Sequence, residues 1–265
     1  RQHSSSVLVC VFLLIQYGCG VLCQFICAKV FQNLYSNKQR TAPHFLILLT
    51  HHRGAYGLDF VKIDSMKTPQ ERLKEIVKIS YTILCNKIAY GNITIANEAS
   101  LQMQFGVILK QVGQLYEFAH TDRFSIELET IQTISPTTKS SKGQARCDIS
   151  LRFSMENNDT ANAIIELKHF KYDKTSEAVA DNRFAIMKDI ENLEHYKEKD
   201  SQLLCYEILY TDNKNYANPH TTAGIKLAPI ITQCFTYCQQ TVELKAAYEA
   251  EWSNHGNNYF MMVTL

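Results

Sequence analysis

Glycine and proline are scarce in this 265-residue chain, and neither sign of charge dominates. The 10 glycines and 5 prolines exclude collagen-like and proline-rich linker architectures. The 27 lysines and arginines nearly balance the 26 aspartates and glutamates, so any surface that attracts nucleic acid or membrane must be local. By contrast, the 46% of hydrophobic residues are enough for a substantial core, which excludes wholesale disorder.

The nine cysteines contain no Cys-x-x-Cys pair, so the spacing typical of a zinc ribbon is absent from the sequence. Several lie within apolar runs, as Cys10 and Cys205 do, and a reduced cysteine behaves there as a small buried hydrophobe. We therefore predict an intracellular, reducing compartment and no disulfide framework.

Residues 7–28 carry no charge and are numerous enough to cross a bilayer as a helix. Gln16, Gly18 and Gln24 interrupt this run, and no strong cationic flank precedes it. These features favour a buried helical hairpin over a membrane segment or a secretory signal. We expect residues 1–92 to form an apolar, mostly helical extension, and we expect no membrane partner. The lack of an initiating methionine predicts an excerpt of a longer protein.

Beyond residue 67 the sequence alternates between helical and strand patterns. Thr68, Pro69 and Glu71 form a capping box at a helix start, and Asn97 with Glu98 caps a second helix. An α/β domain over residues 93–265, with a mixed central β-sheet flanked by helices, accounts for the order of these patterns. The predicted helices cover about 68–88, 97–115, 176–199 and 239–250, and the predicted strands cover 124–131, 147–153, 163–170, 202–210, 224–227 and 259–264.

Asp148, Glu166 and Lys168 occupy positions on two predicted strands that suit a catalytic site. Asp148 begins one predicted strand, while Glu166 and Lys168 lie two residues apart on the next and so leave the same face of the sheet. If these strands form a hairpin, Asp148 and Glu166 converge at one end. Two carboxylates there suit a hard divalent cation, and a nearby lysine can orient a nucleophile and neutralise phosphate charge. A surface Glu–Lys pair with an ordinary strand-end aspartate is the alternative.

Cys147-Asp148, followed after 17 residues by Glu166-Leu167-Lys168, resembles the motif of the PD-(D/E)xK nuclease superfamily, with cysteine at the family's proline position. The resemblance covers about residues 95–212 and implies a restriction-endonuclease-like core. It also implies that Glu98, on the first helix, contributes a further metal-binding acid. Tyr196 ends the segment Asn192-Leu-Glu-His-Tyr196, which stands where RecB-like members carry Gln-x-x-x-Tyr.

Basic and aromatic residues flank the expected site and suit phosphate contact and base stacking, although each could equally be a solvated loop residue. Those that precede Asp148 are Lys139, Lys142 and Arg146, those that follow Lys168 are His169, Lys171 and Tyr172, and Tyr196 lies further along the chain.

The resemblance implies a Mg²⁺- or Mn²⁺-dependent nuclease that hydrolyses phosphodiester bonds in nucleic acid, with DNA favoured over RNA. In this interpretation Asp148 and Glu166 are catalytic metal ligands and Lys168 orients the nucleophile. The alternative is a catalytically silent nuclease-like module that binds a partner or inhibitor protein, as part of a toxin or effector delivered into a host cell. The complete set of Asp148, Glu166 and Lys168 favours the nuclease.

Overall fold

The chain divides into two compact units, residues 1–67 and 68–265. The structure, a computed structural model, describes residues 44–52, 55–63, 67–133, 144–156, 159–171, 176–217 and 234–265. In the first unit, strands β1 (His44–His52) and β2 (Ala55–Ile63) pair antiparallel. The helical hairpin expected over residues 7–28 lies outside the described residues. The described part of the N-terminal 67 residues consists mainly of these two strands.

Two capped helices open the second unit. Helix α1 (Pro69–Ala89) begins at the predicted capping box, in which the Thr68 side chain accepts from Glu71 N and the Glu71 carboxylate accepts from Thr68 N at 2.9 Å. Helix α2 (Glu98–Gln114) begins after Asn97, whose Oδ1 accepts from Ser100 N at 2.8 Å. Both predicted helix starts are confirmed.

The second unit begins at Thr68, whereas the sequence pattern predicts a domain boundary at residue 93. The reason is that α1 packs on the sheet and buries Leu73, Ile76 and Val77 completely. Burying apolar side chains against the sheet stabilises α1 as part of that unit. Residues 68–92 therefore belong with the sheet.

A six-stranded mixed sheet forms the centre of the second unit, as the sequence predicted. Its strand order is β3-β4-β5-β6-β10-β9, and β5 and β6 are the parallel pair. Strand β6 is buried along its whole length, which confirms the central strand expected from its apolar run. In chain order the elements are β3 (Arg123–Thr133), β4 (Gln144–Ser154), β5 (Thr160–Phe170), α3 (Ser176–Lys199), β6 (Leu204–Thr211), α4 (Lys214–Ala217), β7 (Cys234–Tyr237), β8 (Gln240–Glu243), β9 (Ala250–His255) and β10 (Asn258–Thr264).

Helices cover both faces of this sheet. On one face, the Arg72 guanidinium of α1 lies over the Phe153 ring, and α2 packs along β3 next to Phe124. On the opposite face, α3 buries Ile186 and Ile190 in a cluster with residues of β6 and β10. Among the described residues, no helix is both long and apolar enough to span a bilayer.

The helix predicted over residues 239–250 is wrong. Strands β7 and β8 form an antiparallel hairpin there, and its turn residues Cys238 and Gln239 have positive φ values of 48° and 65°. Val242 and Leu244 are buried while Glu243 is exposed, a period of two residues that fits a strand. A left-handed turn cannot continue as a right-handed helix, so the tight hairpin overrides the helical pattern. The strand predicted near 224–227 lies outside the described residues.

Candidate active site

Asp148 is fixed between β5 and α2. Its Oδ2 accepts a hydrogen bond of 2.6 Å from the backbone N–H of Leu167, the residue between Glu166 and Lys168. The regular pairing of β4 with β5 extends from Ser154 to Ile149, so Asp148 joins the strands through its side chain one residue beyond that ladder. From α2, Gln102 Nε2 donates to the Asp148 carbonyl at 2.7 Å. The structure therefore brings Asp148 directly against the Glu166–Lys168 segment.

Lys168 lies among carboxylates at the end of β5. Its Nζ is 2.8 Å from Asp189 Oδ2 on α3 and 3.7 Å from Glu98 Oε2 at the start of α2. The same Nζ donates to the Leu167 carbonyl at 3.2 Å. Burial alone lowers the pKa of Lys168, but Asp189, Glu207 and Glu98 raise it above its usual value. The ammonium is therefore charged across the physiological pH range.

Glu166 and Glu207 form a second, deeper pair of acids. They are direct partners on the parallel strands β5 and β6, and both are 0% exposed. Directly paired residues leave the same face of a sheet, so both carboxyl groups lie on the face covered by α3. Glu166 is thus near Lys168, as predicted, but it is enclosed by the protein.

Glu98 is the first residue of α2, and the Asn97 cap places it beside Lys168. Its side chain is 44% exposed. Burial raises the pKa of Glu98, Lys168 lowers it, and Asp148 and Asp189 raise it further, while the backbone N–H of His169 donates to its carboxylate. Glu98 is therefore a helix-start residue, as predicted, and its carboxylate lies beside Lys168.

The donor chemistry around Lys168 suits a hard cation, because Glu98, Asp148 and Glu166 all offer carboxylate oxygens. Their arrangement is less favourable. Among the described residues, no group of three or more His, Cys, Asp or Glu side chains is placed to hold a metal ion. The carboxylates therefore suit Mg²⁺ or Mn²⁺ as ligand types, and the 44% exposed Glu98 side chain is accessible from solvent, whereas Glu166 is fully buried.

The expected nucleic-acid contacts are only partly described. Arg146 is exposed, and its guanidinium lies 3.6 Å from the Glu129 carboxylate. Lys171 is exposed, and the His169 ring stacks on Tyr210 with centroids 5.2 Å apart. Burial, followed by the charge of Lys171, lowers the pKa of His169, so its ring is neutral at pH 7. Three further expected contacts, Lys139, Lys142 and Tyr172, lie outside the described residues.

Tyr196 occupies the core instead of a surface. It is 3% exposed and belongs to a buried cluster with Leu193, Cys147 and Cys205. The ring lies one turn beyond the completely buried Asn192 on the side of α3 that packs against the sheet. This burial leaves no surface of the ring for a nucleic acid, so the expected contact at Tyr196 is not available in this conformation.

The sequence patterns did not place Asp189 or Glu207 beside Lys168, although each residue has a sequence feature that indicates a buried acid. Asp189 is a charged residue on the buried stripe of α3, between Ile186 and Leu193. Glu207 is a single acid within the otherwise apolar run of β6. Charged residues are almost never fully buried unless they are paired, so an acid on a buried face indicates a nearby cation.

Comparison of the chain with protein-family models, with curated proteins and with solved structures finds no match. Function is therefore inferred from the geometry around Asp148, Glu166 and Lys168.

Proposed function

We propose that this chain is a metal-dependent nuclease that hydrolyses phosphodiester bonds in nucleic acid, with DNA as the favoured substrate. The observation that carries the proposal is the hydrogen bond from Leu167 N to the Asp148 carboxylate, because it brings three distant motif residues to one end of β5. The helix–strand–strand–strand–helix–strand order from α2 to β6 is consistent with a restriction-endonuclease-like core.

Lys168 supplies positive charge in this mechanism. Its raised pKa keeps the ammonium protonated, so it can orient an attacking water by donating a hydrogen bond and can offset charge that develops on the phosphate. The Asp148 carboxylate accepts a hydrogen bond from Leu167 N and so fixes the β5 backbone next to Lys168. Glu98, Asp148 and Glu166 offer carboxylate oxygens that suit Mg²⁺ or Mn²⁺, but they are not gathered around one point, so these side chains would have to converge to hold the ion. The ion would supply Lewis-acid stabilisation of the phosphate.

A catalytically silent nuclease-like module that binds a protein is the second candidate. One observation favours it, because Glu166 is 0% exposed. A nuclease needs this carboxylate to reach a metal ion, whereas a binding module needs it only for stability. Activity measurements separate the two candidates.

The test is incubation of the chain with single- and double-stranded DNA and RNA, in Mn²⁺ or in chelator. We expect cleavage that requires the metal. Asp148→Ala, Glu166→Ala and Lys168→Ala should each lower turnover by about a hundredfold or more, because each removes a group proposed to serve the site. Circular dichroism of each variant checks that the fold is retained.

Matched controls come from exposed residues outside the site. Lys110 on α2 and Glu127 on β3 are both exposed, so Lys110→Ala and Glu127→Ala should cleave like the wild type. Wild-type turnover in any two of the three site variants would contradict the assignment. Absence of cleavage of all four nucleic acids by the wild type would favour the silent module.

A further inference from the structure

Lys168 connects helices from the two opposite faces of the sheet. Glu98 begins α2, which packs along β3 on the face that carries Phe153. Asp189 belongs to α3, which packs on the other face with residues of β6 and β10. The ammonium of Lys168 lies between them, 2.8 Å from Asp189 Oδ2 and 3.7 Å from Glu98 Oε2.

The two carboxylates contact Lys168 in different ways. The distance to Asp189 matches a charge-assisted hydrogen bond, whereas the distance to Glu98 exceeds hydrogen-bonding range. The Asp189 side chain is 5% exposed and the Glu98 side chain is 44% exposed, so solvent screens the second pair far more than the first. Asp189 therefore accepts a charge-assisted hydrogen bond from the ammonium, while the charges of Glu207 and Glu98 add to its attraction.

The helix around Asp189 is rigidly packed. Its neighbours Ile186, Ile190 and Leu193 are all 0% exposed, and they fix α3 against the sheet. A carboxylate on such an element is held in position by packing, as a precise site requires. Glu98, at the partly exposed first residue of its helix, accepts a hydrogen bond from the backbone N–H of His169 but is in wider contact with solvent.

We propose that Asp189 is a positioning residue that fixes the Lys168 ammonium for its part in phosphodiester hydrolysis, an inference that rests on the nuclease function proposed above. Asp189 does not contact the substrate and acts through Lys168. Loss of its charge leaves the lysine in place but releases its ammonium. Turnover should then fall while the KM for nucleic acid stays nearly constant.

The kinetic test compares Asp189→Asn with Glu198→Gln, which makes the same acid-to-amide change at an exposed site on α3 where Glu198 pairs with Lys245. For the nucleic acid that the wild type cleaves, Asp189→Asn should lower kcat by about 10- to 100-fold, the usual effect of losing a group that orients a site residue. KM should stay within about twofold of the wild-type value. Glu198→Gln should match the wild type. Wild-type kcat in Asp189→Asn, or a loss confined to KM, would overturn the proposal.

A second measurement needs no activity. In ¹⁵N-labelled protein, the Lys168 ammonium should give a slowly exchanging resonance, identified by its loss in Lys168→Arg. Asp189→Asn should abolish this resonance, while Glu98→Gln and Glu198→Gln should retain it. Absence of the resonance in the wild type, or its persistence in Asp189→Asn, would refute the role of Asp189.

The two measurements distinguish this inference from the nuclease proposal. If the wild type cleaves no nucleic acid, the nuclease proposal is refuted, and so is the role of Asp189 in hydrolysis. The Lys168 ammonium resonance then shows whether Asp189 still holds Lys168. An active wild type with an unaffected Asp189→Asn variant refutes the positioning role alone. If Asp189→Asn does not fold, Glu98→Gln and Glu207→Gln give the answer, because both other acids act on the ammonium. Loss of the signal in either variant would assign the ammonium to that acid and overturn the proposal, and retention in both would support Asp189.

Discussion

Replacing Gly113 with alanine is expected to destabilise the protein, although alanine is the better helix former. Gly113 lies near the end of α2, where the helix approaches β3 most closely. A Cβ atom at this position would lie 2.5 Å from Phe124 Cγ and closer still to Cδ1 and Cε1 of the same ring. Ordinary carbon contacts are about 3.5–4.0 Å, so the ring or the helix must move.

The size of the effect follows from two opposing contributions. Phe124 is paired with the fully buried Phe153 on the next strand, which limits how far its ring can rotate. Overpacking of this kind costs about 1–3 kcal/mol. The gain in helix propensity from Gly to Ala is about 0.5–1 kcal/mol. The net change for Gly113→Ala is therefore a loss of up to about 2.5 kcal/mol in the free energy of unfolding, centred near about 1 kcal/mol, which is roughly 2–4 °C in Tm for a unit of this size.

Gly106, two turns earlier on α2, provides the matched control. A Cβ there would lie 3.6 Å from Leu128 Cδ2 and 3.8 Å from Ile126 Cδ1, which is ordinary contact. Gly106→Ala should thus stabilise the protein by about 0.5–1 kcal/mol, so the two substitutions should have opposite signs. Urea denaturation of both variants and of Gly113→Ala/Phe124→Leu measures this. Equal signs, or no recovery in the double variant, would refute the close approach of α2 to β3.

Two further predictions concern the metal and the cysteines. Glu98→Gln should keep the helix cap and raise the Mn²⁺ concentration needed for half-maximal cleavage, because the amide removes one charge from a hard-cation site. If the Mn²⁺ titration curves of the variant and the wild type superimpose, Glu98 is a helix-start residue only. At pH 8, iodoacetamide should modify the exposed Cys234 and Cys238 but spare Cys85 and Cys205, since burial raises the pKa of both latter thiols to about 12. Mass spectrometry of the peptides checks this, and a Tm that falls in dithiothreitol would contradict the free thiols.

Local chemistry made the helix starts and the central strands predictable. The capping boxes at Thr68 and Asn97 satisfy backbone N–H groups within four residues, so the signal and the structure lie in the same short segment. The apolar run of β6 similarly predicts its central place, because only a strand covered on both faces buries every side chain.

The chain beyond β6 was less predictable because distant contacts determine it. Glu194 on α3 accepts hydrogen bonds from the backbone N–H groups of Lys245 and Ala246, at 2.8 and 3.2 Å, and from Tyr248 Oη at 2.5 Å. Glu191 similarly accepts from Glu243 N at 3.0 Å. These bonds hold the segment in a non-helical path. They come from α3, so the pattern within residues 239–250 cannot predict them.

The site residues likewise divide into those that local spacing predicts and those that depend on distant contacts. Spacing along two neighbouring strands was enough to predict that Asp148 lies beside Glu166 and Lys168, since a hairpin joins those strands. Asp189 and Glu207 come from α3 and from a parallel strand reached through that helix. Their place depends on the register of β6 against β5, which the sequence does not specify locally.

Several acids lie close to Lys168 at this end of β5. Glu166 and Glu207 are fully buried direct partners on adjacent strands. If both are ionised about 5 Å apart, they repel by about 3 kcal/mol at an effective dielectric constant near 20. Lys168 offsets one such charge, but Asp189 and Glu98 also lie beside it. Under the proposed nuclease function, a divalent ion that arrives with a phosphate substrate would add positive charge beside these acids.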